Sequence, residues 1–180
     1  MGLFDIFNKS KKSKDYDPTN IKLAELKKGS FIEYELETWQ VKSVFEYDWG
    51  DDNFSTELSI KSGNKKRFLH IEGASEPILT MTEPIGLRKL GDAICDQMIE
   101  REAAPKKIFF EDIQYYINET SYGYSRDTDS ENWEELISYS YLDTDEKKYL
   151  CIEQYDGNKF ELSRGKIIDE IELSNILPAG

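Results

Sequence analysis

The sequence predicts a mainly β protein of the α+β class: two tandem copies of an antiparallel β-meander unit, barrel- or sandwich-like, joined by one helix. Three observations carry this expectation. Trp39, Val41, Phe45, Tyr47 and Trp49 occupy odd positions and Gln40, Lys42, Glu46 and Asp48 even ones, the period of two that puts one row of side chains on each face of a strand. Aromatic residues make up 13% of the chain, with 11 Tyr, 9 Phe and 3 Trp, and flat side chains favour a pleated surface. The chain also repeats itself: Ile32 and Ile108, Trp39 and Tyr115, and Val41 and Ile117 are each 76 positions apart. Farther on, F-L-H-I-E at 68–72 matches Y-L-C-I-E at 149–153 at an offset of 81, which places five extra residues in the second copy's first hairpin, around Arg126 to Asn132. A period of this size is too long for a solenoid and points to two copies of one β-unit.

Taken in order, residues 1–20 form a flexible amphipathic, lysine-rich segment. Leu3, Phe4 and Phe7 fall at helical spacing, and Lys9, Lys11, Lys12 and Lys14 follow at once. Through Ser30 seven Lys face four acids, a net of +3, so residues 31–180 carry −16. An apolar face beside a lysine cluster suits an anionic bilayer; the plainer reading is a frayed terminus with a linker. Position six, where N-myristoylation needs Ser or Thr, holds Ile6.

The first β-unit spans 21–86. It begins with an apolar lead-in at Ile21 to Leu26 and a strand Phe31 to Glu37 carrying Ile32, Tyr34 and Leu36 in register. The long strand through Trp39 ends at Gly50-Asp51-Asp52-Asn53, residue types that accept positive φ, and alternation resumes at Phe54 to make a hairpin. A turn at Ser62-Gly63-Asn64 and strands Arg67 to Glu72 and Ile78 to Ile85 complete it. Residues 87–104 read as a connecting helix, because Leu87, Leu90, Ile94, Met98 and Ile99 recur at three- and four-residue spacing until Pro105. The second β-unit, 105–180, closes with a strand F-E-L, a turn at Arg164-Gly165-Lys166 and a last strand with Ile171 and Leu173 inward.

A net charge of −13 argues against nucleic-acid partners, because the phosphate attraction behind most such affinity is reversed. No apolar run reaches the ~20 residues of a spanning helix, and no signal peptide is evident, so a cytoplasmic location is expected, with peripheral contact at the inner membrane face through residues 1–14. Cys95 and Cys151 lack metal or redox spacing and read as free thiols.

Most enzyme classes need parts that the sequence does not offer. No H-E-x-x-H, G-x-S-x-G, P-loop or G-x-G-x-x-G occurs, and the 36 acids make carboxylate pairs uninformative. His70, the single histidine, corresponds to Cys151 in the second copy and reads as a structural residue. Asp127, Asp129 and Glu131 suggest Ca²⁺ ligands, but an EF-hand would need Gly at Asn132 and Glu at Ser138. No catalytic residue, metal site or cofactor is assigned. The candidate binding residues are Tyr47, Asp48, Trp49, Asp51 and Asp52 at the hairpin tip. There Trp49 either caps the core or stands exposed with Tyr47 beside the carboxylates, as a hot spot for a basic protein partner.

The stretches L-K-K-G-S-F-I-E-Y, T-W-Q-V and Y-D-W-G-D, with W-E-E-L, Y-L-C-I-E-Q and the ending E-L-S-N-I-L-P, resemble a bacterial domain-of-unknown-function family, number four-one-seven-eight, over residues 26–178. The resemblance implies a duplicated β-rich fold and an association with envelope stress and membrane proteins, but no catalytic residue. Together these readings predict a non-catalytic β module, an adaptor binding a protein partner or the membrane surface. The alternative is a domain or enzyme for a small or sugar-like ligand that uses Trp, Tyr and carboxylates.

Overall fold

The computed structural model describes residues 23–73, 76–101, 104–156 and 159–180. The amphipathic foot, with Leu3, Phe4, Phe7, Lys9, Lys11, Lys12 and Lys14, lies outside the described residues.

The first run of strands is β1 (Phe31–Tyr34), β2 (Glu37–Asp48), β3 (Phe54–Ser62), β4 (Lys65–Glu72) and β5 (Ile78–Ile85). A 3-10 turn, Leu87–Leu90, and α1 (Asp92–Arg101) lead to β6 (Lys107–Phe110), β7 (Ile113–Asp127), β8 (Glu134–Asp143), β9 (Lys148–Tyr155), β10 (Lys159–Ile168) and β11 (Leu173–Leu177). All join one antiparallel sheet in the order β11-β1-β2-β3-β4-β5-β10-β9-β8-β7-β6, so the protein is mainly β, as expected. β2 also pairs with β7. This closes the eight strands from β2 to β5 and from β10 to β7 into a ring, beyond which β1, β11 and β6 extend.

Four features depart from the sequence reading. The first strand stops at Tyr34, because Glu35 and Leu36 both adopt left-handed φ (50° and 62°) in a two-residue primed turn, leaving Leu36 fully exposed. Glu111 and Asp112 make the same turn, at 50° and 62°, between β6 and β7. Neither turn carries Gly or Asn, the residues that advertise such a conformation. Second, the row from Trp39 to Trp49 is not continuous. A bulge between Val41 and Ser43 shifts the register against β3, so Trp39, Val41 and Val44 face one side of the sheet and Phe45, Tyr47 and Trp49 the other. Third, Gly165 is no turn: β10 runs straight through it. Fourth, the helical stretch is split at Gly91, whose φ of 94° separates the 3-10 turn from α1. In the closing segment Leu173 is buried as expected, whereas Ile171 is exposed.

The apolar faces do not meet inside the ring. On β4, Leu69 and Ile71 pack into one core with Ile32, Trp39, Leu58, Ile60, Leu79 and Met81, while Phe68 and His70 project from the opposite face into the ring. Leu23, Leu26 and Leu173 cover this core. On β9, Leu150 and Ile152 likewise pack into a second core with Ile108, Tyr115, Tyr139 and Tyr141, covered by Leu90 and by Met98 of α1. Each fully buried Leu or Ile contributes about 1.5–3 kcal/mol. The sheet is therefore apolar on its outer, covered face and polar within.

The two five-strand runs share one order, and their registers correspond. Ile32 pairs with Trp39 as Ile108 pairs with Tyr115. A bulge follows Ile117 as one follows Val41. Val44 pairs with Leu58 and Thr120 with Tyr139, an offset that rises from 76 to 81 across the β7–β8 hairpin.

Two seams join the runs, and each needs a glycine. A Cβ on Gly165 of β10 would lie 2.7 Å from Thr82 Cα and closer still to the Met81 carbonyl of β5. At Gly123 of β7 it would lie 2.8 Å from Trp49 Cε3 and would strike the Asp48 carbonyl of β2. Each seam also carries an Arg–Glu pair directly opposite in register. Arg126 Nη2 lies 2.7 Å from Glu46 Oε2, and Arg164 Nη2 lies 2.8 Å from Glu83 Oε1. These pairs are part-exposed, so each is worth under about 1 kcal/mol and acts more on register than on stability. Gly165→Ala is expected to destabilise the protein by roughly 1–3 kcal/mol or more through overpacking. Gly86→Ala, at a position with open space around it, is the matched control. Thermal unfolding of both variants checks this, and an unchanged melting temperature for Gly165→Ala would contradict the tight seam.

Candidate ligand-binding cavity

The ring surrounds a partly open cavity of about 880 Å³. Two rows of cross-strand neighbours build its polar centre. Glu57 of β3 stands opposite His70 of β4, which stands opposite Thr80 of β5. Ser138 of β8 stands opposite Glu153 of β9, which stands opposite Glu161 of β10. The alternation that sends Leu58, Leu69 and Ile152 outward to the cores sends these residues inward.

Glu57 holds the first row together. His70 Nδ1 lies 3.5 Å from Glu57 Oε2, the Tyr47 hydroxyl donates to Glu57 Oε1 at 3.4 Å, and the Tyr47 and His70 rings meet edge to face at 5.2 Å. In the second row the Tyr155 hydroxyl donates to Glu153 Oε2 at 3.0 Å, and Ser138 Oγ lies 3.4 Å from Cys151 Sγ. Tyr47, Leu136 and Tyr155 pack together with Phe45 and Trp49 as an apolar plug on the cavity wall. Trp49 stacks on Tyr47 at 5.4 Å and donates its indole N–H to Ser55 Oγ at 2.8 Å.

The electrostatics follow from burial and crowding. Burial, and then the nearby charge of Glu57, push the Glu153 carboxyl up to about 8, so it holds a proton at neutral pH. Burial opposes a charged His70, but the hydrogen bond and charge of Glu57, with Glu153 and Glu72 behind it, outweigh that cost and raise its pKa. Burial also pushes up the Cys151 thiol and the phenols of Tyr47, Tyr149 and Tyr155. A thiol so shifted forms little thiolate and makes a poor nucleophile.

The hairpin-tip residues part company here. Tyr47 is only 2% exposed and Trp49 is half-buried, both turned to the cavity. The Asp48 side chain accepts the Gly50 N–H at 2.9 Å, and Asp51 and Asp52 stand exposed in the turn with left-handed φ. Asp129 pairs with Lys28 at 2.7 Å. Glu57 and Glu153 escaped the sequence reading. A charged residue alternating with apolar neighbours is the ordinary pattern of a solvent-facing strand surface, and only ring closure turns that surface inward.

Fold and cavity together define a class: a closed antiparallel β-ring with a polar interior. The chain belongs to the family described as "Domain of unknown function (DUF4178)", whose model matches residues 27–170. It is also similar to an uncharacterised protein of Aquifex aeolicus (strain VF5), 24% identical over 177 residues that cover 96% of this chain and 94% of that protein. No solved structure matches.

His70 and Glu153 both have raised pKa values, so each contributes stability that is present at low pH and lost as pH rises. For Glu153 the folded protein keeps a proton that the unfolded chain releases, from the ordinary carboxylate range up to about 8. Stability to urea is expected to fall between pH 5 and pH 9, with most of the loss complete once pH passes about 8. Glu153→Gln should flatten this dependence and make the protein relatively more stable at pH 9 than the wild type. A wild-type stability that rises over the same range would contradict the assignment.

Proposed function

We propose that this protein is a non-catalytic binding module that holds a small ligand inside the ring. The supporting observation is the cavity itself: about 880 Å³ with Glu57, His70 and Glu153 at its centre. Polar and ionisable groups are costly to bury, and an interior filled by apolar packing would be the more stable solution for a ring with no occupant. Eight-stranded rings have room for one small ligand, and pockets of a few hundred to a thousand cubic ångströms suit such molecules. The raised Cys151 thiol, and the engagement of His70 with Glu57 and Tyr47, favour binding over covalent chemistry. The exposed-tip reading becomes, in this proposal, a wall: Tyr47 and Trp49 face the ligand, and Asp51 and Asp52 only shape the turn. The adaptor role at the membrane, with its link to envelope stress, rests on residues 1–14 and gains no support from the described ring.

The test is native mass spectrometry of protein purified without denaturation, beside Ser140→Phe, which places a ring in the cavity. Wild-type protein is expected to carry a non-covalent adduct of small-molecule mass, and Ser140→Phe to lose it while keeping its β-sheet circular dichroism. Wild-type protein that is always adduct-free, and that gains stability when Ser140→Phe fills the space, would overturn the reading.

A further inference from the structure

The cavity's charge and surface chemistry specify more than its size. Its lining carries seven carboxyl side chains against four basic ones, Lys66, His70, Arg126 and Lys159, and two of these four are committed, Arg126 to Glu46 across the β2–β7 seam and His70 to Glu57. Glu153 and Glu161 stand directly opposite each other, and the Glu161 carboxylate lies 3.9 Å from Lys159 Nζ. Among the described residues Glu57 makes two long contacts, 3.4 Å to Tyr47 and 3.5 Å to His70, which leaves it capacity for a stronger donor. Around these carboxyl groups stand the rings of Tyr47, Tyr149 and Tyr155, and the Tyr155 face already holds a cation, Lys159 Nζ at 5.3 Å from its centroid. Phe45, Phe68 and Leu142 supply apolar lining for the rest of a guest.

We infer that the ring takes a small organic cation, its ammonium group seated between Glu57 and Glu153 and its carbon body against the tyrosine rings. This deepens the ligand-binding reading and rests on it. An anion would meet the excess of carboxyl groups, and a neutral guest would gain no charge attraction from Glu57.

Binding is linked to protons. The groups facing Glu153 are Tyr47 of β2, Glu57 of β3, His70 of β4, Tyr149, Cys151 and Tyr155 of β9, and Glu161 of β10 with Lys159 beside it. A seated ammonium favours ionised Glu153 and disfavours protonated His70, so it expels a proton. Affinity therefore rises with pH as Glu153 and His70 give up theirs.

Three probes with one carbon chain separate the possibilities: n-hexylammonium, 1-hexanol and hexanoate, titrated into the intact protein by calorimetry and by backbone NMR shifts between pH 6 and pH 8.5. The expected result is that n-hexylammonium binds at least tenfold more tightly than 1-hexanol and still more tightly than hexanoate. Its affinity should rise with pH, and its heat should differ between two buffers of unlike ionisation enthalpy, which reads the released proton. Glu153→Gln and Glu57→Gln should each weaken n-hexylammonium about tenfold while changing 1-hexanol little, and Glu153→Gln should reduce the pH dependence. Equal or tighter binding of 1-hexanol or hexanoate in the cavity would overturn the cation assignment and leave the ligand-binding reading standing. Absence of binding by all three, with NMR shifts confined to the outer surface, would overturn both.

Discussion

Everything inside this molecule depends on how two runs of strands are brought into one ring. β5 meets β10 and β2 meets β7, and at both places the backbones approach so closely that a single methyl group would overlap the facing chain. Gly165 and Gly123 are thus conditions of closure, not conformational conveniences. The seams are also where corresponding positions meet: Asp48 pairs with Tyr124, 76 residues on, and Glu83 pairs with Arg164, 81 residues on. The opposed Glu46–Arg126 and Glu83–Arg164 pairs contribute little energy at their exposure, but they penalise a slipped register, since a one-residue shift would turn every inward side chain outward.

That dependence explains what the sequence could and could not disclose. Strand identity was legible, because alternation and turn chemistry are local: Gly63-Asn64 lies at the tip of the β3–β4 hairpin, and β5 has the bounds that its pattern implies. The extra residues near Arg126 were legible too, through the change of offset. The bulge after Val41 was not. It leaves the apolar alternation looking unbroken while reversing which side each residue faces, so Trp39 and Trp49, read as one row, belong to different interiors. Nor was the meaning of Gly165, which looks like a turn in a chain and like a contact only once β5 lies beside it.

The correspondence between the two runs stops at the cavity. Where the first places Tyr47, Glu57 and His70, the second has Gly123, Ser138 and Cys151 at the matching registers; where the second places Glu153, the first has Glu72. Outside the ring the matches are conservative, Ile32 for Ile108 and Leu69 for Leu150, as packing demands. Inside it the Tyr47, Glu57 and His70 matches are not, whereas Glu72 and Glu153 are both carboxyls. The small second-run residues make room for the large first-run ones: Gly123 accommodates the Trp49 ring, and Trp49 in turn carries Tyr47 stacked on it. The polar centre is thereby asymmetric, with a histidine-bearing wall on one side and a carboxyl-bearing wall on the other.

Such divergence is affordable because stability comes from elsewhere. In a small barrel whose interior is also its core, every inward residue must fill space, and a charged one is a liability. Here the sheet turns its apolar face outward to two separate cores, one covered by β1, β11 and the Leu23–Leu26 turn, the other by β6 and α1. Both are complete without any residue of the Glu57–His70–Glu153 centre. The cavity face is consequently released from packing, and there, among the described residues, the fold holds part-buried carboxyls, a histidine and tyrosine hydroxyls in mutual contact. Holding such groups out of water costs stability that leucines in their place would not, and that cost is the physical ground for the proposal of a ligand inside the ring.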